Sequence, residues 1–166
     1  MVLRLLFILL TLCSLTGCGV AYIAKSATYQ FSMLNSRVPN LDARASGELS
    51  FQERQTLDIV EEVRGFGSKL GLNVGELYGT VAMGWNHTIW NVSAAKPLAF
   101  ESATWWFPIV GTVPYLGFFE KEEALKQLEE LKADGLEVYL RTAGAYSTLG
   151  YFEDPILPSM LRWSEW

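Results

Sequence analysis

The 166-residue chain has one histidine, His87, and two cysteines, Cys13 and Cys18, both near its start. A single histidine excludes the His-Glu-x-x-His zinc motif, which sets two imidazoles on one helical face. It also confines any histidine-based nucleophile activation to His87. Charge is sparse, at 19% of residues, and its balance is acidic, with 18 Asp and Glu against 13 Lys and Arg. No long basic run is present, so nucleic acid is not an expected partner. The longest apolar run, Leu5–Leu12, is too short to cross ~30 Å of hydrocarbon, which needs about 20 residues. Gly65, Gly67 and Gly71 lack the dinucleotide-loop spacing, and no strand signal precedes them. What the chain does have is apolar bulk: half its residues are hydrophobic and 13% aromatic. That is enough for one domain with a real core.

Met1–Gly17 reads MVLRLLFILLTLCSLTG, with Arg4 as a charged start and Leu5–Leu12 as an apolar centre. This is the pattern of a secretory leader. It runs into Leu15-Thr16-Gly17-Cys18, which resembles the bacterial lipobox. Residues 1–17 are therefore expected to be a lipoprotein signal peptide, with Cys18 acylated as the first residue of the mature chain 18–166. Acyl chains anchor because each buried CH₂ adds ~0.8 kcal/mol. Gly19, rather than Asp, resembles lipoproteins forwarded to the outer membrane, facing the periplasm.

The rest reads as α+β: N-terminal helices, then a mixed sheet with one clear crossover helix. Ile23, Ala27, Phe31, Leu34 and Val38 predict one face of a helix over Val20–Val38, stopped by Pro39. Asn40–Gly47 reads as a loop. Ser50 and Glu53 form a capping box, opening a helix whose predicted inner face is Ile59, Val63, Phe66 and Leu70. Thr88–Val92 alternates as a strand, and Leu98–Glu101, Trp105–Val110 and Tyr115–Phe119 are further candidates. Glu120–Asp134 predicts a helix with Ala124, Leu128 and Leu131 inward, a Glu122–Lys126 pair and Gly135 past its end. Leu136–Leu140 and Ala145–Leu149 read as strands separated by a turn. Asp154-Pro155 reads as the start of a helix. The expected core includes Leu57, Ile59, Val63, Phe66, Ile89, Val92, Leu128, Leu131 and Val138.

Few residues carry an obvious chemistry. His87 opens a strand in an aromatic region and reads first as a structural histidine. Ser147 lies three residues from each flanking glycine, whereas a nucleophile elbow requires two. The tryptophans at 85, 90, 105 and 106 could stack on sugars, but large aromatics are more often core. No catalytic residue and no metal ligand set is predicted within this chain.

Four segments, in order, carry a resemblance: Trp90–Ala95 (WNVSAA), Thr104–Gly111 (TWWFPIVG), Tyr115–Phe119 (YLGFF) and Gly144–Pro155 (GAYSTLGYFEDP). Together with the lipobox, they resemble a family of bacterial zinc-dependent aminopeptidase lipoproteins. The chain departs from the family at Leu116, where a basic residue is usual, and at Trp106 or Thr112, where cysteine is frequent. The resemblance implies a zincin-like metallopeptidase domain. Its His-Glu-x-x-His helix would follow the Asp-Pro segment, so the chain is expected to be an N-terminal portion ending before that helix. Zinc is implied for the complete enzyme and none is expected on this chain, which alone is expected to be inactive. Peptide is the implied substrate. Gly144 and Ala145 are small enough for a substrate strand to approach, with Tyr146 beside them. A buried strand with tight packing explains the same residues equally well. The alternative function is a non-catalytic envelope lipoprotein with a structural or peptide-binding role.

Overall fold

The computed structural model describes residues 18–107, 110–148 and 150–162. The leader assigned to residues 1–17 lies outside them. Helix α1 spans Cys18–Asn35. It ends earlier than its periodicity predicts, because Val38 belongs to a short strand, β1 (Arg37–Pro39). Its inner face is also shifted by about one position. Tyr22, Gln30 and Met33 turn inward, while Ile23 and Phe31 face solvent. Residues expected to form a loop instead form a short helix, α2 (Asn40–Ala45), before α3 (Phe51–Lys69). The capping box is present as expected. Ser50 Oγ accepts from the Glu53 N–H, and the Glu53 carboxylate accepts from the Ser50 N–H.

The expected inner face of α3 is wrong. Leu57 is buried, but Ile59, Val63, Phe66 and Leu70 are each about 60% exposed. The helix packs through the opposite side, where Leu57 and Gly67 are buried and Val60 is half-buried. The reason lies in its neighbours: α2, β2 (Thr80–Ala82) and α5 (Pro158–Leu161) all meet α3 on the Leu57 side. Strands β1 and β2 pair antiparallel, with Val38 opposite Val81.

The main sheet has three strands in the order β6-β3-β7. Strand β3 (Ile89–Ala95) is central, with β6 (Leu116–Phe118) and β7 (Glu137–Ala143) antiparallel to it on either side. The two outer strands therefore run parallel to each other. They are joined by α4 (Lys121–Ala133), the expected crossover helix, which covers one face of the sheet. Ala124, Leu128 and Leu131 turn inward as predicted, and Gly135 takes a left-handed φ of 80° past the helix end. Lys126 lies 3.9 Å from Glu130, and Lys132 lies 3.3 Å from Glu129. Strands β4 (Trp105–Phe107) and β5 (Gly111–Val113) form a separate hairpin. The α+β class holds, with antiparallel pairing in every named sheet.

Three apolar clusters hold these parts. Leu57, Val81, Ile156 and Leu161 tie α3 to β2 and the C-terminal segment. Val92, Leu116, Phe118 and Leu131 join the sheet to α4. Met33, Trp85, Ile89 and Leu157 connect α1 to the sheet's end. Full burial of side chains of this size contributes ~1.5–3 kcal/mol each. Leu98–Glu101, expected as a strand, forms a loop instead. Among the described residues, no helix is long and apolar enough to cross a membrane.

Candidate functional site

Strand β7 pairs only with β3 among the described residues, so its outer edge is open. Its last residues reach a cleft of about 300 Å³. Trp85, Asn86, His87, Thr88 and Ile89 supply one wall, Thr142, Ala143 and Gly144 a second, and Pro158, Ser159 and Arg162 a third. The walls converge because β3 and β7 are antiparallel, with Ile89 opposite Ala143. The start of one strand and the end of the other therefore lie together. The third wall is held by backbone: Ile156 N–H donates to Thr80 C=O at 2.8 Å, and Ala82 N–H to Ile156 C=O at 2.9 Å.

His87 is exposed at the cleft rim. Its ring stands edge-on to Tyr29 at 5.0 Å and tilted to Trp85 at 5.2 Å. Phe119 stacks on Tyr29 at 4.7 Å and meets Tyr146 edge-on at 6.0 Å. Trp85 is buried, yet its indole Nε1 has no hydrogen-bond partner among the described residues. Buried donors are nearly always paired, so this cleft-lining residue is a candidate donor to a ligand. Among the described residues, no carboxylate lines the cleft. Its polar groups are imidazole, amide, hydroxyl and guanidinium, a set suited to accepting or donating hydrogen bonds along a peptide backbone. The Ser159 hydroxyl donates to Gly144 C=O at 3.3 Å and is not aligned by a base.

Gly144, Ala145 and Tyr146 do not form a strand of their own. Strand β7 runs without a turn through Ala143, and residues 144–148 are irregular. The cause is Asp154, which is fully buried. One carboxylate oxygen accepts from the Thr148 N–H and the other from the Thr148 hydroxyl, both at 2.7 Å. That backbone donor serves a loop closure, not a ladder. Asp154 also does not open a helix; α5 begins later, with Pro158 at its first turn. Of the three candidates, Gly144 lines the cleft. Tyr146 packs into the aromatic group behind it. Burial, with the negative charge of Asp154 nearby, pushes the Tyr146 phenol up to about 12. It is a neutral hydrogen-bonding group at ordinary pH.

Beside this group, Glu120 joins α1 to the start of α4. Lys25 Nζ donates to Glu120 at 2.8 Å and to Glu123 at 2.6 Å, and the Tyr29 hydroxyl donates to Glu120 at 2.5 Å. The Lys25 and Tyr29 hydrogen bonds hold the Glu120 carboxyl below its usual range, and Glu120 in turn raises both partners. A second cleft of similar size lies between α1 and α4, but its Lys25 and Lys126 are already paired with carboxylates. Among the described residues, no three His, Cys, Asp or Glu side chains come together to hold a metal ion. The described residues alone therefore supply no ligand set for the zinc that the resemblance implies.

Sequence reasoning missed Trp85, Ser159 and Arg162 as partners of His87. Trp85 stands two positions before His87, whereas Ser159 and Arg162 lie far along the chain and are carried to it beside the β2–Ile156 contact. The resulting protein is a small α+β unit whose open sheet edge leads into a polar cleft. The family model described as "Putative aminopeptidase" matches residues 21–166, and the chain belongs to that family. That description places it among the peptidases. No curated protein and no solved structure matches the chain.

Proposed function

We propose that this chain is the peptide-binding part of a zinc-dependent aminopeptidase tethered to the bacterial envelope by acylated Cys18, most simply at the outer membrane facing the periplasm. The observation that carries the reading is the open edge of β7 running into the cleft at Gly144. A peptide adds as a strand along such an edge, gaining main-chain hydrogen bonds, and its end enters the cleft beyond the last pair. Gly144 permits close approach at that point. The Trp85 indole N–H, the His87 imidazole and Asn86 supply hydrogen-bonding groups near it. The role assigned to these residues is binding and orientation. Metal chemistry is left to ligands other than the described residues, which hold no ligand set.

The test is amide NMR of the chain titrated with a short unstructured peptide. Perturbations should cluster at Tyr139–Gly144 and at His87, and Gly144→Val should abolish them while leaving the spectrum of the α4 region intact. Perturbations confined to other surfaces would overturn the reading. For the tether, mass spectrometry of membrane-extracted protein should find an acylated N-terminal Cys18. A mature chain that begins elsewhere, with Cys18 free, would overturn that part.

A further inference from the structure

The turn between β3 and β4 holds two large apolar side chains entirely in solvent. Leu98 and Phe100 are 102% and 112% exposed, as bare as in an isolated extended peptide. Nothing about this turn is loose. Lys96 N–H donates to Glu101 C=O at 3.0 Å, Ala99 N–H donates to Lys96 C=O at 3.3 Å, and the Lys96 ammonium pairs with the Glu101 carboxylate. Ala95 and Ser102 form a bridge below it, and Ala103 N–H donates to Ala94 C=O at 2.8 Å. Leu98 sits at φ 55°, in the left-handed region. That conformation is unfavourable for a bulky residue. Strain and bare apolar surface are both costs to the free chain, and strained positions cluster where a chain meets a ligand.

The direction of α1 says what the turn faces. Tyr22 contacts Gly117, which lies opposite Asn91, whereas Met33 packs with Ile89 and Trp85. Helix α1 therefore runs antiparallel to β3. Its first residue, Cys18, lies toward the Ala95 end, from which the turn projects. The first 17 residues, with their apolar run, join the fold at this same end. Val20 and Ile23, exposed on the first turns of α1, add apolar surface there.

We propose that Leu98 and Phe100 form a lipid-inserting tip that enters the bilayer to which the chain is attached at or before Cys18. The inference rests on the membrane attachment proposed above, though not on peptidase activity. Two side chains bind a bilayer weakly by themselves. Beneath a tether the contact is intramolecular and its effective concentration is high. The second contact would fix which way the molecule stands, with the Ala95 end down and the opposite end of β3, where the His87 cleft lies, away from the lipid. The chain's net charge of −5 means that the attraction is apolar, not electrostatic, and so insensitive to salt.

The test uses the full chain on phosphatidylcholine vesicles, with an environment-sensitive fluorophore on Phe100→Cys and, as a control, on Glu129→Cys on the outer face of α4. The unsubstituted chain gives the background from its own cysteines. Doxyl groups carried near the top of the acyl chains should quench the label at 100 at least about twofold more than the label at 129, matching the ~5–10 Å depth of interfacial side chains. Raising the salt should not reverse this. Equal quenching at both positions on membrane-bound protein would overturn the tip while leaving the tether standing. Preferential quenching at 100 in a chain with unacylated Cys18 would support the tip and remove the lipid anchor. Shielding of position 100 only when a second protein is present would overturn the proposal in favour of a protein partner, and failure of the chain to associate with vesicles at all would overturn it outright.

Discussion

The Tyr22 hydroxyl closes both backbone groups of Gly117, 95 residues away: it donates to the carbonyl at 2.8 Å and accepts from the N–H at 3.1 Å. Gly117 sits in the edge strand β6, so one side chain from α1 stands in for a missing neighbouring strand. Burial raises the Tyr22 phenol, which keeps it protonated for this role. Tyr22→Phe keeps the ring contacts to Phe107 and Phe118 but leaves two part-buried groups unpaired. The expected loss is about 1–3 kcal/mol in urea denaturation.

Asp154 closes the loop that carries Tyr146 and Tyr151. Asp154→Ala removes two charge-assisted hydrogen bonds to Thr148 and is expected to cost about 3 kcal/mol. Asp154→Asn keeps the shape and one acceptor and should lose less. Thermal denaturation separates the two. Limited proteolysis of Asp154→Ala should cut first within residues 144–154.

Stability should fall at alkaline pH, and Tyr146 should account for part of the fall. Its folded value of about 12 lies above the ordinary 10.0, so the protonated phenol is favoured by folding. The stabilisation is complete below pH 10 and is lost as pH rises toward 12. Two units correspond to roughly 2–3 kcal/mol. Tyr146→Phe should flatten this decline in denaturant titrations made between pH 9 and 12, whereas an unchanged slope would mean that Tyr146 is not buried as described.

Substitutions along α3 should divide by face. Leu57→Ala empties a buried site and should cost about 2–5 kcal/mol. Val63→Lys and Phe66→Ser, on the exposed stripe, should stay within about 0.5 kcal/mol of the parent in the isolated chain. Chemical denaturation of the three variants checks both statements.

The same helix shows where sequence reading stops. Ile59, Val63, Phe66 and Leu70 recur at helical spacing, so the helix was legible, but periodicity reports that an apolar face exists and not what covers it. Leu57, isolated in the pattern, is the residue that β2 and Ile156 bury. Helix α4 was read correctly because its face, its start and Gly135 are all local signals. The pairing of β1 with β2 was not legible, since strands of three residues some forty positions apart leave no periodic trace. GAYSTLG looked like a strand because it is small and aromatic. Its course is decided by Asp154, a side chain that local pattern does not weigh. At the candidate site, Gly144 was legible from its size and place, while Ser159 and Arg162 reach Trp85 and His87 beside the Thr80–Ile156 backbone contact, which leaves no local signal.

That contact has a consequence for the order in which the protein is made. Ile156 bonds to Thr80 and Ala82, and α1 waits for Gly117 to cover. Neither end of the fold can close on sequence near it. Contacts of such long separation form slowly and late. A nascent chain leaving the ribosome therefore leaves Tyr22 without its Gly117 partner until two thirds of it is made, and has no finished cleft until Ile156 emerges. The cleft and the cover of β6 are thus late products of a nearly whole chain.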